Sequence, residues 1–189
     1  IITAAKAIAE GLHDDQFPLK VWQTGSGTQT NMNLNEVISN LVSQNSGEAL
    51  GSHKPVHPND HVNRSQSTND VFPAAIHIST AQGLSNRLLP ELQKLIDVID
   101  SKCKSWADIT KIGRTHLQDA VPLTLGQESS AWRDQAKAAQ ARIKTSLSEL
   151  YPLPLGGTAI GTGLNAPPLF DIEVAKEIAS LTNLPFTSA

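Results

Sequence analysis

Residues 57 to 70, HPNDHVNRSQSTND, carry one aliphatic side chain, Val62, and one proline, Pro58. The rest are imidazoles, amides, hydroxyls, two aspartates and one arginine. Such a run is either a solvated loop or a wall of hydrogen-bond donors suited to a small anion. Three other polar segments invite the same question: GSGTQTNMN at 25 to 33, GRTHLQDAVP at 113 to 122 and GGTAIGTGLN at 156 to 165.

In GSGT, glycines flank Ser26 and precede Thr28, so the backbone can turn tightly and bring two hydroxyls and the N–H groups of a following helix to one anion. An ordinary Gly-Ser turn explains the same residues, and no GK[ST] follows to make a phosphate loop. In SQSTND, Ser67, Thr68 and Asn69 stand before an expected helix. One of them suffices as a cap, and the excess fits a grip on a carboxylate. His57 and His61 are four apart, but Pro58 lies between them and no H-E-x-x-H pattern is present, so anion-binding or surface histidines fit better than metal ligands. His116 follows Arg114 and Thr115 and precedes Gln118 and Asp119. It is either structural or an imidazole able to orient and deprotonate a water. GGTAIGTG lacks the spacing of a dinucleotide fingerprint and reads as a tight turn between helices.

Helices must position these segments. Ile1, Ala5, Ile8, Ala9 and Leu12 share a helical face, and residues 14 to 30 read as loop. Leu34, Val37, Ile38, Leu41 and Val42 mark a helix capped by Asn33 with Glu36, or by Thr30 or Asn31, and ended by Gly47 and Gly51. Asn69 or Asp70 caps the next, with Pro73 in its first turn and a kink or restart at Pro90. Leu92, Leu95, Ile96, Ile99, Cys103 and Trp106 continue one face. After 113–122, Leu125, Trp132, Ala136, Ala139, Ile143, Leu147 and Leu150 predict the longest helix, and a last one spans about 169 to 181. The expected fold is mainly α, with 1–66 and 67–189 as separate domain parts.

The 189 residues carry a formal charge of -3, without the clustered Lys and Arg of a nucleic-acid surface. Aromatic content is only 4%, which favours packed helices over a β-sandwich. No apolar run reaches the length of a membrane span, and no signal peptide is evident. Cys103 is the single cysteine, so no internal disulfide or thiolate metal site is expected. Both ends read as cut, as in a piece of a longer chain.

Taken in order, VWQTGSGTQTNMNLNEVISN, KPVHPNDHVNRSQSTNDVFP, KIGRTHLQDAVPLTLGQE and LPLGGTAIGTGLN resemble the fumarase/aspartase superfamily, and its class II fumarases most closely. The resemblance covers nearly the whole chain. It implies a long-helix bundle, incomplete at both ends here, and a homotetramer whose active sites draw on three subunits. The implied reaction is reversible trans-addition of water to fumarate, giving L-malate, with no metal or cofactor. It assigns substrate contacts to Ser26, Thr28, Asn31, Ser67, Thr68, Asn69 and Thr115, and the catalytic role to His116. A second dicarboxylate site maps to Lys54, His57, Asn59 and Asp60. No nucleic-acid or membrane partner is implied, and the compartment is cytoplasm or mitochondrial matrix.

Three departures stand out. Ser-Thr-Asn replaces the frequent Ser-Ser-Asn, keeping the hydroxyl. Lys54 replaces a frequent Arg, keeping charge without bidentate geometry. The GSSxMPxKxNP segment, with its serine and lysine, does not occur in this chain. Aspartate ammonia-lyase is the alternative: Ser26 and His116 favour fumarase over the GAGT and GRTQLQD of aspartases, whereas STND leans toward aspartases. An inactive fragment and a His57/His61 metal protein are further alternatives.

Overall fold

The computed structural model describes residues 1–20, 22 and 25–189; Val21, Gln23 and Thr24, in the loop expected over 14 to 30, lie outside the described residues. The mainly α expectation holds. The helices are α1 (Ile2–Ala9), α2 (Thr28–Asn45), α3 (Thr68–Gly83), α4 (Leu89–Ser105), α5 (Leu125–Leu147) and α6 (Phe170–Thr182). The strands are β1 (Thr110–Thr115), β2 (Gln118–Thr124), β3 (Pro152–Leu153) and β4 (Thr187–Ser188). The chain divides into two compact units, one of residues 1–77 with 152–189 and one of 78–151, so α3 begins in the first and ends in the second.

In the first unit α2 departs most from expectation. Its buried positions are Asn31, Asn35, Ile38, Ser39 and Ser43, while Leu34, Val37, Leu41 and Val42 of the expected apolar face are only half-buried. The polar stripe turns inward because its side chains hold the following loop. Ser39 Oγ donates to the Val56 carbonyl and Ser43 Oγ to the Lys54 carbonyl, both at 2.6 Å. The expected caps Asn33, Thr30 and Asn31 are also corrected. Gly27 is the N-cap, with φ 76, and no side chain caps the helix. A Cβ on Gly27 would run into the Phe72 ring of α3, so glycine meets both the left-handed backbone and the close approach.

Helix α3 starts at Thr68, one residue before the expected Asn69 cap. The Ser67 carbonyl accepts from the Val71 N–H, the Ser67 hydroxyl accepts from the Asn69 N–H at 3.3 Å, and the Asp70 carboxylate accepts from the Ser67 N–H at 2.9 Å. This reciprocal pair fills the role of a capping box. Pro73 therefore sits within the helix rather than in its first turn. β3 and β4 pair in parallel, and α6, close to its expected bounds, leads into β4.

The second unit is α4 and α5 with an antiparallel hairpin between them. A π-helical stretch at Leu84–Leu88 precedes α4, where Pro90 lies in the first turn, so the expected break is a restart. The hairpin stands where sequence patterning showed only an interruption, because its strands are too exposed to alternate cleanly. Thr124 and Gln127 close a capping box on α5. The inward face of α5 runs through Gly126, Ser129 and Arg133; Trp132, expected on it, is 52% exposed. Gly126 lies against the α4 backbone, and a Cβ there would meet the Cys103 carbonyl oxygen at 2.7 Å and Ala107 Cα at 3.0 Å.

Asp100 of α4 accepts from Lys104 at 2.7 Å and from Arg133 of α5 at 3.1 Å. Hydrogen bonds from Lys104, then Arg133, hold its carboxyl below the ordinary aspartate range. Arg133 is raised by its bonds to Asp134 and Asp100.

Two predictions follow from this unit. Replacing Gly126 with Ala gains about 1 kcal/mol of helix propensity but forces a methyl onto backbone that cannot rotate away, an overpacking that typically costs roughly 1–3 kcal/mol. Thermal unfolding is expected to show a net loss of stability. The depressed Asp100 pKa gives the second. Its stabilisation is complete above the unfolded value of about 3.9 and is lost as pH falls through the lower folded value. The Tm gap between wild type and Asp100→Asn should be flat from neutral pH to about 5 and close below about 4, and salt should narrow it throughout.

Candidate active site

Three of the four polar segments meet in the first unit. The 25–28 turn delivers Ser26 and Thr28, both exposed, with their hydroxyls 3.5 Å apart. Gly27 offers no capping side chain to the first turn of α2. One turn on, Asn31 is buried, and its Nδ2 donates to Thr68 Oγ1 at 2.9 Å and to Asn63 Oδ1 at 3.3 Å. With the Thr68 oxygen engaged as acceptor, its own O–H is left to donate. Ser67 and Thr68 are half-buried and Asn69 is exposed. Asn69 Nδ2 donates to the Ala159 carbonyl at 2.7 Å, which ties the wall to the glycine-rich loop ninety residues on.

That loop is the expected tight turn, but it does more than connect. Asp70, 2% exposed, accepts from the Gly156 N–H at 3.2 Å and the Thr158 N–H at 2.8 Å, in addition to Ser67. Thr158 has φ 58, a left-handed backbone unusual for a β-branched residue. Its hydroxyl is buried without a hydrogen-bond partner.

The outer group is pinned from beneath by Ser39 and Ser43, which fix the backbone at Val56 and Lys54. The Lys54 side chain is exposed. His57 caps the π-helical turn Pro58–Val62: its Nδ1 accepts from the Asn59 and Asp60 N–H groups, each at 3.2 Å. His61 Nδ1 accepts from the His57 N–H at 2.8 Å. Both Nδ1 atoms act as acceptors in these bonds. The Asp60 carboxylate lies 3.5 Å from His57 Nδ1. The spacing read as a possible metal pair thus serves turn geometry, and among the described residues no group of three or more His, Cys, Asp or Glu is placed to hold a metal.

A cleft of about 700 Å³ is lined by Asn59 and Asp60 of the outer group, by Ser67 and Thr68 of the wall, and by Thr158 and Ala159. Asn59 and Asp60 of the outer group and Ser67 and Thr68 of the wall thus share one cavity, whereas Lys54, His57, Ser26, Thr28, Asn31 and Asn69 do not line it. Neutral donors dominate it, an arrangement suited to a carboxylate-bearing ligand.

Thr115 and His116 belong to the second unit. Thr115 pairs with Gln118, leaving His116 and Leu117 as a two-residue turn with φ 46 and 63. That is the backbone of a type I′ turn, which favours Asn-Gly. His116 is exposed, and Leu117 is 94% exposed. Arg114 pairs with Asp119 across the strands at 3.1 Å, and Lys111 with Glu128 at 2.7 Å. Gly113 allows the bulge between them: a Cβ would lie 2.8 Å from the Val121 carbonyl. A rigid hairpin thus presents an imidazole at its tip, free of any packing role.

Sequence reasoning missed Ser39, Ser43 and Asp70. The signal was present as a polar residue at every fourth position, 31, 35, 39 and 43, which on a helix is a continuous stripe.

A family model described as lyase matches residues 1–189. The chain is 71% identical to the class II fumarate hydratase of Prochlorococcus marinus (strain MIT 9313), over all of its residues and 41% of that protein. It is 59% identical to the mitochondrial fumarate hydratase of Homo sapiens, over its full length and 37% of the relative. The crystal structure of class II fumarase from Schistosoma mansoni matches with a TM-score of 0.93 at 43% identity, covering 100% of this chain and 42% of the other. The chain therefore spans about two fifths of the length of such relatives. Matched by one family model from its first residue to its last, the chain belongs to the lyase family and is similar throughout to the class II fumarases.

Proposed function

We propose that the protein carrying this chain catalyses the reversible hydration of fumarate to L-malate. The observation that carries the reading is the cleft lined by Ser67 and Thr68, the latter braced by buried Asn31. The identity to fumarate hydratases supports it. A planar dicarboxylate needs a grip at each end and donors that strengthen as charge develops. Removing a proton beside a carboxylate gives an aci-carboxylate-like dianion, and preorganised hydroxyl, amide and backbone N–H groups stabilise it more than the ground state.

In this reading Ser26, Thr28, Asn31, Ser67, Thr68, Asn69 and Thr115 bind substrate, and His116 positions and activates the water. Lys54, His57, Asn59 and Asp60 form a second dicarboxylate position, of which Asn59 and Asp60 line the same cleft. The working assembly is a homotetramer with active sites shared between subunits, in the cytoplasm or the mitochondrial matrix. Residues 1–66 contribute to its N-terminal domain and 67–189 open its central bundle. No helix among the described residues is long and apolar enough to cross a membrane.

Proton NMR of the intact protein with fumarate and ammonium together tests the reaction. Malate is the expected product, and aspartate would instead make the protein an ammonia-lyase. Within an active enzyme, His116→Asn should lower kcat by about 10²–10⁴-fold, the usual worth of a general base, with little change in KM. A variant with wild-type kcat would remove His116 from the chemistry.

A further inference from the structure

We propose that Asp70 is the positioning residue of the substrate wall, a role that rests on the hydratase reading above. Asp70 touches no part of the cleft's ligand space that the structure marks out, yet it fixes two of the segments lining that space. One carboxylate oxygen takes the Ser67 N–H at the start of α3; the other takes the N–H groups of Gly156 and Thr158. These are neighbours of the groups that face the cleft: Ser67 and Thr68 on one segment, Thr158 and Ala159 on the other.

The clamp is over-specified for simple helix capping. The Ser67 hydroxyl already serves as cap to the Asn69 N–H. One Asp70 oxygen completes the capping pair, and the second is spent wholly on a loop more than eighty residues away. That loop holds Thr158 at φ 58, a conformation that a threonine does not keep without support. Gly156, with φ 92, lets the loop come close: a Cβ there would stand 2.6 Å from Asp171 Cβ. From this base the Ala159 carbonyl receives the Asn69 amide at 2.7 Å, which sets the orientation of the last residue of the wall. Asp70 thereby acts through backbone on Ser67 and, through the loop, on Asn69.

The test is steady-state fumarate hydration by the intact protein, wild type against Asp70→Asn and Asp70→Glu, with thermal unfolding and subunit assembly recorded for each. Asn keeps the shape, but in either orientation its NH2 faces an N–H donor. A displaced wall grips substrate and transition state less well, so KM for fumarate should rise about tenfold or more and kcat should fall as well. Loss of fold alone lowers the amount of active enzyme, and so kcat, and leaves KM unchanged. Glu, which keeps the carboxylate, should recover part of the lost KM. A folded Asp70→Asn protein with wild-type KM overturns the proposal. If that variant does not fold, amide hydrogen exchange of the wild type decides. Succinate, an unreactive dicarboxylate, should slow exchange at Gly156 and Thr158 by about tenfold, since whatever the clamp does for ligand binding the ligand must return to the clamp. Unchanged exchange at those amides with succinate bound overturns it equally. A wild-type protein that does not hydrate fumarate rejects the proposed function; an active wild type beside an indifferent Asp70→Asn rejects the clamp alone.

Discussion

The inward polar stripe of α2 is the constraint on which the first unit depends. A helix ordinarily buries its apolar face, and α2 has one available in Leu34, Val37, Leu41 and Val42. Apart from Ile38, it fully buries only Asn31, Asn35, Ser39 and Ser43. Buried polar groups are costly unless each finds a partner. Here the partners are carbonyls of residues 54 and 56 and the side chains of Asn63 and Thr68. The helix thus works as a ruler: successive turns fix successive points of a loop that has almost no apolar residues with which to hold itself. The loop's own contribution is local, with imidazoles that accept from its backbone in place of a core.

The second unit solves a different problem. Its hairpin must carry an imidazole where no neighbour confines it. The tip places His116 and Leu117 in left-handed backbone, which glycine or asparagine would occupy with less strain. A non-glycine residue there costs on the order of 1–2 kcal/mol, against a marginal total stability. Cross-strand pairing of Arg114 with Asp119, the bulge at Gly113 and the capping box on α5 support the hairpin below the tip.

Much of this was legible in the residues. Helical periodicity or capping residues located each of the six α-helices, whereas the short helical turns such as Asp14–Gln16 and Pro58–Val62 carried no such pattern. The polar segments were legible as a set because hydroxyls, amides and imidazoles gather there in excess of capping needs. Periodicity failed on α2 because it scores apolarity, and the buried face there is polar. It failed at Trp132 because Arg133, whose charge is met by Asp100 and Asp134, takes the inward position. The hairpin escaped notice because exposed strands show no alternation. Asp70 looked like one more cap residue, since its partners at 156 and 158 are remote in sequence and no local pattern announces a long-range hydrogen bond.

The distance along the chain between Asp70 and the glycine-rich loop also orders events in time. The wall residues emerge from the ribosome first, but two of the three groups that Asp70 holds lie 86 and 88 residues beyond it. At roughly 5–20 residues per second, synthesis of that interval takes about 4–17 s. During that wait α2 and the start of α3 are present without the loop that completes their cleft. The lining of the cleft at this stage is polar, and water satisfies its donors and acceptors until the loop arrives.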